Sequence, residues 1–130
     1  MTRYDEYMYL LERSRRFYET AVMQVDRGFY DLAVFSLEQS LQPFLKACLL
    51  KLGVDYPRTH SVRRLLEIMA KVTGSSEIED VLRRFSLELG ALEDAYITSR
   101  YVTRDYTVDE VTRLRSVVDE VMSLVRGLCR

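Results

Sequence analysis

The sequence is poor in every residue type that interrupts a helix. Its 130 residues include five glycines and two prolines, about half the usual share. So few breakers leave little room for the turns of a many-stranded sandwich or barrel, and long helices are the alternative. Histidine occurs once, at His60, and cysteine twice, at Cys48 and Cys129. There is no C-x-x-C and no cluster of Cys with His, so no zinc site of that kind, no other metal and no cofactor is expected. Cys48 falls in an apolar run and reads as a small core residue. Neither sign of charge is in excess: 19 Lys and Arg against 20 Asp and Glu leave a net charge of -1. No global basic field therefore drives non-specific nucleic-acid binding. An uncharged apolar run such as Ala47 to Leu50 is far too short to span a bilayer. Met1 to Leu11 carries acids and tyrosines instead of an apolar leader core. A cytoplasmic protein without membrane contact is the expectation.

What the chain does have is helical periodicity. Hydrophobic residues make up 48%, enough for one core in a single domain spanning 1–130. Tyr4, Tyr7, Met8, Leu11, Tyr18, Ala21, Val22 and Val25 recur at intervals of three and four and predict a helix over about 2–27, stopped by Gly28. From Phe29 to Leu52 the apolar residues nearly surround the helix, which makes it central or shared with a second subunit. Pro43 lies inside it and predicts a kink. Ser61 is the N-cap of a short third helix, Val62 to Val72. Ser76 with Glu79 forms a capping-box pattern before a fourth helix that fades near Ser99. Thr107 with Glu110 forms another, ahead of a fifth helix whose Val111, Leu114, Val118, Val121, Val125 and Leu128 make one stripe. The expected fold is all-α: an up-and-down four-helix bundle with one extra short helix in the second crossover.

Charge is segregated along the chain. Between positions 51 and 71, Lys51, Arg58, Arg63, Arg64 and Lys71 face only Asp55 and Glu67. With His60, the residues Arg58, Arg63 and Arg64 make a candidate phosphate site, because guanidinium forks and free backbone N–H groups converge at a helix start. The stretch 77–94 is acidic, and in a dimer it would meet the basic one. Arg100, Tyr101, Arg104 and Tyr106 form a second candidate surface. Tyrosine faces and guanidinium groups suit stacking on bases, and they also anchor protein interfaces. Glu38 and Gln39, midway along the central helix, need partners if buried.

These segments together resemble the HEPN domain family. The resemblance rests on three stretches. One is the central helix, Tyr30-Asp31-Leu32-Ala33-Val34-Phe35-Ser36-Leu37-Glu38-Gln39-Ser40-Leu41 with Leu45-Lys46-Ala47-Cys48-Leu49-Leu50. The second is the turn Pro57-Arg58-Thr59-His60-Ser61-Val62, and the third is the segment from Tyr96 to Tyr101. The match runs from about Tyr4 to Leu128. It implies a helical bundle that dimerises, a nucleotide- or RNA-related role, and a minimal nucleotidyltransferase as partner in a toxin–antitoxin pair. It also implies, for active members, metal-independent RNA cleavage by an Arg-x(4–6)-His motif.

That motif is incomplete here. Arg100 is followed at the required distances by Asp105, Tyr106 and Thr107, and no arginine stands five to seven residues before His60. Side chains with reference pKa values of ~10 and ~3.9 are poor substitutes for imidazole near neutral pH. The expectation is a protein that acts by binding, with itself and a nucleotidyltransferase as partners. One alternative is a ribonuclease toxin using Arg100 with Tyr106. Another is a nucleotide-binding module built on Arg58 and His60.

Overall fold

The computed structural model describes residues 2–129, and these contain six α-helices and no strand. In chain order they are α1 Arg3–Asp26, α2 Tyr30–Lys51, α3 Val62–Thr73, α4 Ser76–Arg84, α5 Ser86–Tyr101 and α6 Val108–Leu128. Their starts follow from the sequence. Thr2 and Thr107 close capping boxes with Asp5 and Glu110. The hydroxyls of Ser61 and Ser75 accept the backbone N–H groups of Arg64 and Ile78, so the cap of α4 lies one residue earlier than its pattern suggested. Gly74, at φ +70°, ends α3 in the left-handed region where a side chain would be strained.

Helices α1, α2, α5 and α6 are the four bundle helices, and α3 with α4 forms the crossover between α2 and α5. Helix α2 packs against α1, α3, α5 and α6. Its Leu37, Leu41, Leu45 and Leu49 are fully buried. The apolar surplus read from the sequence is thus used within one chain, and α2 is the central post. The stripe of α6 is consumed in the same way, with Val111, Leu114, Val118, Val121 and Val125 all in the core. Helix α2 runs unbroken through Pro43. Nearby, Ser14 Oγ of α1 donates to the Ser40 carbonyl at 2.7 Å, a buried tie between the two helices.

Two features depart from the sequence reading. The predicted fourth helix is two helices, separated at Phe85 (φ -109°, ψ 23°). No glycine or proline marks the break. The apolar positions Ile78, Val81, Phe85, Leu89 and Leu92 stay in phase across it, which is why periodicity alone joined the two pieces. Phe85 is buried at the bend, with the guanidinium groups of Arg84 and Arg113 over its ring. The second departure is that α5 extends through Tyr101, so Arg100 and Tyr101 belong to its last turn and not to a loop. Among the described residues no helix is long and apolar enough to cross a membrane.

The packing of α2 gives a direct test. Leu41→Ala should lower the unfolding free energy by about 2–5 kcal/mol, read from urea denaturation followed by circular dichroism. A loss below about 1 kcal/mol would mean that the centre of α2 is not the tightly packed post described.

Candidate functional site

The turn between α2 and α3 is held from two sides. Pro57 keeps Tyr56 out of the helical region, and Ser61 caps α3. The Ser61 hydroxyl donates to Glu93 Oε1 of α5 at 2.8 Å, and the Arg63 backbone N–H donates to the same oxygen at 3.0 Å. The Arg63 guanidinium donates to Glu93 Oε2 at 2.7 Å. Burial alone would raise the Glu93 carboxyl, but these donors outweigh it and hold the group below the ordinary glutamate range. The Arg63 guanidinium lies over Gly90 of α5, where a Cβ would meet Nη1 at 3.4 Å in ordinary contact.

His60 precedes this clasp by one residue. Its ring stacks on Tyr96 of α5, with centroids 4.2 Å apart and planes at 20°. The Tyr96 hydroxyl is 3.2 Å from Nε2, and Nδ1 is 3.4 Å from Gln42 Oε1. The Arg100 guanidinium lies 4.6 Å from the centre of the Tyr96 ring, and Phe35 of α2 meets that ring at 6.4 Å. Beneath the turn, Gln42 Nε2 donates to both oxygens of Glu38 at 2.5 Å, and Gln39 Nε2 donates at 2.8 Å. Glu38 is 0% exposed. Burial pushes its carboxyl up to about 7, against the opposing pull of the two amides.

The surface end of this cluster presents an imidazole, a phenol and a guanidinium, all exposed or half-exposed. Aromatic faces accept bases by stacking, and the cation accepts phosphate. Among the described residues Arg100 and Arg58 have no carboxylate partner.

The structure redistributes the residues singled out from sequence. Of the basic group, Arg63 is clasped to Glu93, Arg64 reaches Glu67 at 3.8 Å, and Arg58 is exposed. The acidic stretch meets basic partners inside the chain, as Arg63 with Glu93 and Arg113 with Glu88, so no second copy is needed to pair these charges. At the other surface, Tyr101 is 78% exposed. Arg104 pairs with Glu110 at 3.0 Å and covers the Tyr106 ring at 4.0 Å. Tyr106 is only 8% exposed, and its hydroxyl is buried without a hydrogen-bond partner. Arg100 is therefore joined to Tyr96, and through it to His60. The sequence reading grouped Tyr96 with the tyrosines and arginines of the segment 96–106 without pairing it with His60, and it missed Phe35 and Gln42 as site residues. The signal was helical spacing: Tyr96 stands four residues before Arg100, and Glu38 four before Gln42. A hollow of about 670 Å³ lies between α1 and α6, lined by Leu11, Tyr18, Phe44 and Asp119 among others. It shares no residue with the His60 cluster.

Against known proteins, a family model described as HEPN domain matches residues 7–128. No curated protein matches the chain. Among solved structures, the crystal structure of TT1696 from Thermus thermophilus is similar at a TM-score of 0.77 and 22% identity, over 94% of this chain and 97% of that one. At that identity the likeness speaks for the fold.

Glu38 makes stability depend on pH. In the folded protein its carboxyl keeps a proton up to about 7, whereas an unperturbed carboxyl loses it near 4.5. The unfolded state thus releases the proton first as pH rises. The contribution of this group is fully retained below pH 4.5, falls between 4.5 and about 7, and is level above that. Glu38→Gln should abolish the fall, so its stability relative to wild type should rise by up to about 3 kcal/mol between pH 4.5 and pH 8. Urea unfolding of both proteins across this range checks it. Parallel stability curves would show that the carboxyl is not held protonated.

Proposed function

The chain belongs to the HEPN domain family, and on that premise we propose that it acts by binding. Its exposed His60–Tyr96–Arg100 face takes a nucleotide or single-stranded RNA. It works as a homodimer, with a minimal nucleotidyltransferase as its partner in a toxin–antitoxin pair.

One observation carries the binding role: the imidazole and the guanidinium both lie against one tyrosine ring, 4.2 and 4.6 Å away, at the surface. A base stacked on such a platform contributes about 1–3 kcal/mol. Arg100, which has no carboxylate partner among the described residues, supplies a cation for phosphate without requiring the whole chain to be basic. Cleavage through Arg100 and Tyr106 is less well supported. A general acid or base must reach the proton it moves, and the Tyr106 hydroxyl is enclosed.

Self-association draws support from one end of the bundle. Phe29 and Leu32 at the start of α2, and Tyr101 and Val102 at the end of α5, are apolar and exposed. Asp31 and Val102 line one hollow, which places these two element ends side by side. A two-fold axis near this patch would cover it twice over and bring two Arg100 side chains to one cleft.

Arg100→Ala and Tyr96→Ala should each weaken binding of a labelled single-stranded RNA by about tenfold or more in fluorescence anisotropy. The affinity should also fall steeply with salt. Cleavage of that RNA in EDTA, lost in Arg100→Ala, would replace the binding role with a nuclease. Light scattering at micromolar concentration should give twice the chain mass for wild type and a smaller mass for Tyr101→Asp. A wild-type mass of one chain would remove the dimer.

A further inference from the structure

We infer that the buried pair Glu38 and Gln42 are positioning residues that hold His60 in its Nδ1–H tautomer, so that Nε2 accepts the ribose 2′-hydroxyl of a bound nucleotide and the face prefers RNA to DNA. This rests on the reading of that face as a nucleotide surface.

The inference follows from the groups each side chain donates and accepts. Above about pH 7, where Glu38 is ionised, its carboxylate only accepts, so the amide of Gln42 turns its NH₂ end toward Glu38, and Nε2 lies 2.5 Å from each carboxylate oxygen. The other end, Oε1, then faces outward to His60 Nδ1 at 3.4 Å. An amide oxygen has no proton to give. For this contact to be a hydrogen bond, Nδ1 must carry one. In the neutral ring Nε2 then bears the lone pair, because the partner of one nitrogen fixes the state of the other. The Gln39 amide, donating to Glu38 Oε1 at 2.8 Å, helps keep the carboxylate acceptor-only.

Nε2 is also free to act. The Tyr96 hydroxyl is 3.2 Å away, but the two rings are stacked at 20°. The phenol oxygen therefore lies over the imidazole face and leaves the in-plane lone pair open. That lone pair diverges from the Nδ1 direction and so points away from the buried amide. His60 is exposed. The Arg100 guanidinium, against the same tyrosine, is placed for a phosphate. In a ribonucleotide chain the 2′-hydroxyl adjoins the 3′-phosphate, so one nucleotide offers both groups together. Deoxyribose lacks the hydroxyl, and this is the group by which proteins tell RNA from DNA.

His60 is the only histidine in the chain, so its ring nitrogens give unambiguous NMR signals. At pH 8, long-range ¹⁵N–¹H spectra of wild type should show Nδ1 protonated and Nε2 bare. Glu38→Gln, which frees the Gln42 amide to turn, should shift the ring toward the Nε2–H form, and Gln42→Leu should do so too. Anisotropy with labelled octauridylate and its deoxy counterpart, at one salt concentration, should favour the ribo form by about three- to tenfold in wild type. In both variants the ratio should fall toward one. Wild-type His60 found as Nε2–H overturns the inference whatever is bound. Equal affinity for the two oligonucleotides overturns it while leaving the binding role intact. If neither binds, the binding role fails and the inference with it, even with the tautomer as stated. Glu38→Gln keeps the shape of the buried side chain, so the test does not depend on Gln42→Leu folding.

Discussion

The structure depends on the exclusion of water from α2. Between Ala33 and Leu50 no residue of this helix is exposed, so each polar group there must find a partner in the chain or carry a desolvation cost. The apolar residues of α2 fill the core, and its polar residues fall into two sets. Ser36 and Ser40 bond locally or to α1. Glu38, Gln39 and Gln42 bond to one another and then outward through His60. The surface cluster is thus the outlet of a buried polar network, which is why it lies where the α2–α3 turn crosses α5.

The turn could not serve this purpose if it were mobile. Glu93 prevents that by accepting three hydrogen bonds from Ser61 and Arg63 at the start of α3. Most ion pairs of this protein are exposed and contribute little individually. The Glu93 pair differs because its carboxylate is largely covered and its partners include a cap hydroxyl and a backbone amide. It fixes α3 to α5, and with it the spacing between His60 and Tyr96.

Much of the fold is legible in the sequence because caps and periodicity are local. Ser61 and Thr107 start helices as their side-chain chemistry requires, and the apolar phase of α6 names its buried face. The phase of α1 does so only in part: Ala21 is buried, but Tyr4 and Met8 are exposed while Leu10 and Ser14 are covered. The sequence also points to His60 and Arg100, though in separate groups. Their meeting is not legible, because it depends on how α5 packs against a turn far from it along the chain. The break at Phe85 is hidden for the opposite reason: the local pattern is continuous there, and only tertiary packing bends it. Pairing Arg100 with Tyr106 fails on burial, which sequence proximity does not report. The ring of Tyr106 belongs to the core, under the guanidinium of Arg104.

The in-phase bend at Phe85 bears on how the chain tolerates changes of length. Each residue added to a helix rotates the remainder of that helix by about 100°. One residue inserted near Phe85 would rotate α4 against α5 and carry Ile78 and Val81 off the core, or Leu89 and Leu92. The crossover cannot absorb single insertions at its bend, although the bend looks like a joint. The segments 52–61 and 102–107 keep no helical phase, but each holds a residue in a fixed place: His60 stacks on Tyr96 in the first, and Tyr106 enters the core in the second.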